Sequence, residues 1–160
     1  MPKSLPSALG ACLAHETELI EQFAAALAAE GEALLDRKAV QALKDAAQHK
    51  EQLADQLVLA SQRRDQVLAA LGLASGHAGT EAAVALHPEL SQAWQTLQEQ
   101  AGQARQANQR NALILEINLR HTEQTLAALR RLGNQGGTTY DASGRGRPLG
   151  SASRPTIVAA

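Results

Sequence analysis

Five histidines, one cysteine and a short Gly-Arg repeat are the residues of this 160-residue chain that could carry out chemistry. The histidines stand at positions 15, 49, 77, 87 and 121, with no His-x-x-x-His pair and no glutamate three residues before any of them. A carboxylate-bridged dimetal centre in a helical bundle needs two Glu-x-x-His motifs, so no metal and no cofactor is expected. Cys12 lies beside Leu13 with no His and Asn constellation to activate it, and an inert, part-buried thiol is its expected role. Gly144-Arg145-Gly146-Arg147 lacks the Lys-Ser/Thr of a phosphate-binding loop, and no strand is expected before it. No catalytic residue is assigned. The chain reads as a binding protein and not as an enzyme.

The polar residues that need an explanation are Asn108, Asn111 and Asn118. They lie on or beside an apolar seam that includes Leu115, Leu119, Leu126 and Leu129. Asparagine is a poor helix former and a costly core residue. It can penalise wrong helix alignments, or it can mark a seam that is incompletely covered and receives another chain. Leu113, Ile114, Ile117 and Leu119, together with Leu115, widen the apolar surface beyond one narrow stripe. A helix apolar on two sides needs two partners, and a helical hairpin supplies only one. A partner surface is therefore expected at Leu113, Ile114, Ile117, Leu126 and Leu129, with Asn108 and Asn111 fixing helix pairing or the partner's backbone. Tyr140 stands alone in a polar tail, as an anchor for a partner or as a residue that folds back.

The elements that position these residues follow from composition and periodicity. Aromatic residues make up only 2% of the chain, and scarce β-branched and aromatic residues argue against a sheet. Alanine, leucine, glutamine, glutamate and arginine argue for helices. Leu9, Leu13, Ile20, Phe23, Leu27 and Leu34 form a heptad-like stripe in which Glu16 and Glu30 occupy the two missed apolar positions. Leu43, Leu53, Leu57, Val67, Leu68 and Leu71 form a second stripe, which Gly72 ends. Asp36 is a candidate cap between the two, although no Gly or Pro enforces a turn. Ser7 is the expected N-cap of the first helix, after a leader through Pro6. Pro88 suits the first turn of a third helix through Leu90, Trp94, Leu97, Ala101, Ala104, Asn108, Asn111 and Leu115, closed by Gly133.

The expectation is an all-α fold: long antiparallel helices in a hairpin or three-helix bundle over residues 1–132, with helices at about 7–35, 38–71 and 88–132. A short helical turn is expected between Thr80 and Leu86. Residues 133–160 read as a mobile C-terminal tail. Three tail arginines against Asp141, beside a mildly acidic body, do not make a nucleic-acid-binding stripe. No run approaches the ~18 apolar residues of a membrane span, and basic residues are not massed on one helix face as membrane-surface binding requires. One cysteine allows no intramolecular disulfide. A cytoplasmic location is expected.

The chain resembles the FlgN family of flagellar type III export chaperones. The resemblance rests on Glu32-Ala33-Leu34-Leu35, on Ala69-Ala70-Leu71-Gly72, on Asn108 and Asn111 with Leu113-Ile114-Leu115, and on Thr139-Tyr140-Asp141-Ala142 with Gly144. It implies a cytoplasmic chaperone that binds the C-terminal helices of the hook-associated (hook–filament junction) proteins. Such a chaperone prevents their premature assembly and hands them to the flagellar export apparatus, which Tyr140 could contact. The competing expectation is a self-associating coiled-coil protein, and pairing of two client-free copies stays open.

Overall fold

The computed structural model describes residues 4–135, 138–140 and 146–148, the side chains of the last two stretches excepted. The chain divides into two units, Met1–Leu115 and Glu116–Ala160. Its helices are α1 (Leu5–Leu35), α2 (Val40–Ala70), α3 (Gly76–Leu86) and α4 (Ser91–Gln135), with a 3-10 turn at Pro88–Leu90 leading into α4. The all-α expectation with long helices holds. A small ribbon is added to it: β1 (Thr138–Tyr140) pairs antiparallel with β2 (Gly146–Pro148), Tyr140 opposite Gly146. A strand thus precedes Gly146-Arg147, contrary to expectation. Thr-Thr-Tyr has the β-branched and aromatic composition that suits one. The rest of the expected tail beyond Gln135 lies outside the described residues.

Local chemistry sets the ends of the helices. The first begins earlier than expected, because Ser4 and not Ser7 caps it: the Ser4 hydroxyl accepts from the Ser7 N–H at 3.4 Å, and Pro6 sits in the first turn. Asp36 makes the break after α1, but it does not cap α2. Its Oδ1 accepts from the Lys38 N–H at 2.9 Å, and its carbonyl accepts from the Ala39 N–H at 3.1 Å. This aspartate turn takes the place of the usual Gly or Pro. Gly72 ends α2 as expected. With φ +74° it allows a reversal in which Leu73 N–H donates to Leu68 O and Gly72 N–H to Ala69 O, each at 2.9 Å. That is the Schellman arrangement, completed by Leu73 packing back onto the core.

The helix after this turn starts at Gly76 and not at Thr80. Asp65 Oδ1 accepts from the Gly76 N–H at 2.8 Å, and the buried Thr80 hydroxyl donates to Gly76 O at 2.8 Å. Gly79 packs on the carbonyl of Ala74 so closely that a Cβ there would collide with it. At the other end of the chain, Gly133 does not close the last helix, which runs through it to Gln135. One exposed glycine costs a helix only about 1 kcal/mol relative to alanine, which the long helix tolerates.

In the first unit α1 and α2 form an antiparallel hairpin, spanned by Glu30–Lys50 near its turn and by Glu16–Arg64 farther from it. The part of α4 up to Leu115 runs parallel to α1. Gln100 reaches Glu21, and Asn111 reaches Leu27 and Glu30, at sequence separations of 79, 84 and 81. One core cluster joins Leu9, Leu13, Leu68, Ala83, Leu90, Trp94 and Leu97; a second joins Leu19, Ala26, Leu53 and Ala60. Trp94 ties the helices together. Its Nε1–H donates to Glu81 Oε1 at 2.6 Å, and the Arg64 guanidinium lies 5.6 Å from its ring centre, over the π face. Among the described residues no helix is long and apolar enough to cross a membrane.

Candidate binding surface

Of the three asparagines singled out above, Asn108 and Asn111 lie where α1, α2 and α4 come together in the first unit. Asn111 is buried, and its Nδ2 donates to Leu27 O at 2.8 Å and to Glu30 Oε1 at 3.0 Å. Lys50 closes the cluster. Its ammonium is 2.8 Å from Glu30 Oε2 and donates to Asn108 Oδ1 at 3.3 Å. The approach of α1 to α4 depends on Gly31, where a Cβ would come within 3.1 Å of Asn111 Oδ1. Thus Asn111 ties α4 to α1, and Asn108, itself exposed, is held by α2.

Glu30 fills one gap in the apolar stripe of α1 and Glu16 fills the other; they are 7% and 5% exposed. Their surroundings differ. Glu30 has Lys50 and Asn111 as donors, whereas Glu16 Oε1 has no hydrogen-bond partner and its Arg64 contact is long, at 3.4 Å. Burial therefore pushes the Glu16 carboxyl above its ordinary range, although Arg64 pulls the other way. The opposite holds for the Glu81 carboxyl, which hydrogen bonds from Trp94 and then Gln98 hold below that range. Sequence reading missed Lys50, Gly31 and the Glu81–Trp94 bond. The two glutamates interrupting a leucine stripe, and the asparagines of the facing seam, signalled a buried polar layer.

The apolar residues expected to meet a partner are in a different setting. Leu113, Ile117, Leu126 and Leu129 are 57%, 55%, 49% and 58% exposed, and Ile114 is half-buried. From Leu115 to Gln135 every residue of α4 is exposed. Within the second unit these positions do not share one face. Leu126 and Leu129 are three residues apart and adjacent on the helix surface, whereas Ile117, nine residues before Leu126, lies about 180° around the axis. Leu119 does share the Leu126–Leu129 side, through the 3-4-3 spacing Leu119, Thr122, Leu126, Leu129. That spacing was legible, but Thr122 obscures it in a row of leucines. The side chain of Tyr140 lies outside the described residues; its backbone ends β1.

The first unit also carries shallow grooves lined by polar side chains. One, about 410 Å³, has Ala24, Ala104 and Ala107 between Glu21 and Arg110. Another, about 330 Å³, places Cys12 and His15 beside Arg63. Burial pushes the Cys12 thiol up against the opposing pull of Arg63, so the reactive thiolate is scarce at neutral pH. Among the described residues no group of three or more His, Cys, Asp and Glu could hold a metal ion.

A helical bundle whose longest helix carries an uncovered apolar run has the build of a protein that works by binding other helices. The family model described as FlgN protein matches residues 1–148. The match takes in most of the chain, which belongs to the FlgN family and has the general role of that family, flagellar export chaperone. No curated protein and no solved structure matches it.

Proposed function

We propose that this protein is a cytoplasmic export chaperone for the hook-associated (hook–filament junction) proteins. It binds their C-terminal helical regions, prevents premature assembly and delivers them to the flagellar type III export apparatus. The observation that carries this reading is the apolar run of α4, exposed from Leu115 onward, in a chain of this family. Amphipathic client helices would otherwise assemble with one another, and an apolar helix face can shield them. Each leucine or isoleucine that a client covers contributes about 1.5–3 kcal/mol gross, most of it offset by the cost of association and ordering.

Leu113, Ile114, Ile117, Leu126 and Leu129 contribute the client contact in this proposal. Asn108 and Asn111 set the helix pairing from which that surface starts, and Tyr140 contacts the export apparatus. The exposure of Leu126 and Ile117 on opposite sides of the helix favours a client that wraps α4 or contributes more than one helix.

Calorimetric titration with the C-terminal segment of each junction protein from the same genome tests the reading. A saturable heat with a defined stoichiometry is expected for at least one segment. Ile117→Asp should abolish that heat while helix content stays at the wild-type level. No binding of either segment by the folded chain would sink the proposal. Deleting the residues after Gln135 without loss of secretion would remove Tyr140 from it.

A further inference from the structure

We infer that two copies of this chain pair antiparallel through residues 116–130 of α4, with Leu119, Thr122, Leu126 and Leu129 as the seam. This pairing is argued from the second unit alone and does not depend on the client reading. The 3-4-3 spacing of these residues is that of alternating a and d positions in a coiled coil. All four are exposed in the single chain. An antiparallel partner stacks a on d, which places Leu119 on the partner's Leu129 and Thr122 on the partner's Leu126, each contact occurring twice.

One observation permits this seam to be buried, and a second points to another copy as its occupant. The first is the state of the threonine. Thr122 Oγ1 donates to Asn118 O at 2.9 Å, and the neighbouring Thr125 Oγ1 donates to His121 O at 2.9 Å. Both hydroxyls are satisfied inside their own helix, so burying Thr122 against leucine strands no donor. The second is charge. Along one flank of the seam stand Glu116, Glu123 and Arg130, at intervals of seven. In the antiparallel alignment Glu116 faces the partner's Arg130 and Arg130 faces the partner's Glu116, while Glu123 meets the partner's Glu123 at the two-fold axis. A parallel alignment instead sets Glu123 against the partner's Asn118 and Arg130 against the partner's Thr125, with no charge pair.

In the single chain Glu116 holds Arg120 at 2.7 Å, an exposed pair one helical turn apart. Such pairs are weak and exchange easily, so Glu116 is available to the partner. The seam is therefore self-complementary at its ends and self-repelling at its centre. Four layers and one like-charge contact describe a reversible dimer.

Sedimentation equilibrium of the full chain, wild type and variants, tests this. A concentration-dependent monomer–dimer equilibrium is expected. Leu126→Asp should abolish the dimer, and circular dichroism should show unchanged helix content. Glu123→Gln should tighten it, by about threefold or more, through loss of the central repulsion. Glu116→Arg should weaken it, and adding Arg130→Glu to that variant should restore it. A chain that stays monomeric up to about 0.5 mM, an affinity weaker than about 4.5 kcal/mol at the standard state, overturns the inference. So does a dimer indifferent to Glu123→Gln, or a charge reversal at Glu116 that the second reversal does not repair.

Discussion

Between Trp94 and Asn111, α4 buries Trp94, Leu97, Ala104 and Asn111; between Leu115 and Leu132 it leaves Leu115, Ile117, Leu119, Leu126, Leu129 and Leu132 in solvent. The second stretch is the richer in leucine, so hydrophobicity does not decide which part is covered. The supply of neighbours does. In the first unit α1 meets α4 at separations of about eighty residues, and α1 ends at Leu35. Partners in that register are used up by Leu115. The covered stretch is also where polar groups interrupt the seam, each with a fixed partner, and the uncovered stretch is where apolar groups have none. Buried helix pairing and an uncovered apolar surface thus occupy successive parts of one helix.

The largest effects should come from placing the same charge in each part. Leu97→Asp puts a carboxylate into the core cluster of Leu9, Leu13 and Leu68, and should cost more than about 4 kcal/mol, enough to unfold a domain of ordinary stability. At concentrations where the chain is monomeric, Leu126→Asp should change stability by no more than about 0.5 kcal/mol, as is typical of surface changes. Chemical denaturation of both variants measures the contrast. Comparable destabilisation by the two would mean that the second part of α4 is covered in the free protein.

Two ion pairs of nearly equal length sharpen the comparison. Glu30–Lys50 spans 2.8 Å and Glu116–Arg120 spans 2.7 Å, yet the Glu30 side chain is almost fully enclosed and both members of the second pair are open to water. Distance alone would rank them equally. Lys50→Met leaves a buried carboxylate with Asn111 as its remaining donor, and should cost about 2 kcal/mol, reduced from the fully buried case because Lys50 is itself partly exposed. Arg120→Met should cost no more than about 0.5 kcal/mol. A Lys50→Met variant as stable as wild type would show that Asn111 alone compensates Glu30.

Much of this division was legible before the structure. The heptad spacing located Leu9, Leu13 and Leu27 in the core, Gly72 at the end of α2, and Trp94, Leu97 and Ala104 on the buried side of α4. The gaps at Glu16 and Glu30 were visible as well, but their partners were not. Lys50 and Arg64 come from α2, whose own periodicity says nothing about which charged residues face inward. The break at Asp36 was expected, but its aspartate turn onto Lys38 and Ala39 was not, because such a turn has no single diagnostic neighbour. The start of α3 at Gly76 depends on a tertiary bond from Asp65, which no local pattern contains. Leu119 was legible on the seam of Leu126 and Leu129, and Ile117 as part of a second apolar side; the helical repeat puts the two sides about 180° apart.

A smaller effect should appear at the closest contact between α1 and α4. Gly31→Ala brings a methyl group to within 3.1 Å of Asn111 Oδ1, so the amide must shift and its bonds to Leu27 and Glu30 weaken. A loss of about 1–2 kcal/mol is expected. Asn111→Ala should cost a similar amount by itself, but it also removes the group that the added methyl would strike. The double variant should therefore be less destabilised than the sum of the two, with a coupling of about 0.5–1 kcal/mol. Strict additivity would mean that the helices separate at Gly31 and do not crowd the amide.

The smallest effect is one of sign, and it belongs to Glu16. Burial raises the folded-state affinity of Glu16 for a proton above its unfolded value. A group shifted in this direction stabilises the fold when protonated, and that contribution is lost as pH rises through the folded pKa. As pH falls from 7 towards the ordinary carboxylate range near 4.3, wild type should gain stability relative to Glu16→Gln, by about 1 kcal/mol for each unit of upward shift. Comparing the two proteins cancels the titration of every other carboxylate. Denaturant midpoints at intervals across that window give the slope. A wild type that loses ground to Glu16→Gln on acidification would mean that Arg64, despite its 3.4 Å separation, outweighs burial and that Glu16 behaves as an ordinary ion-paired acid.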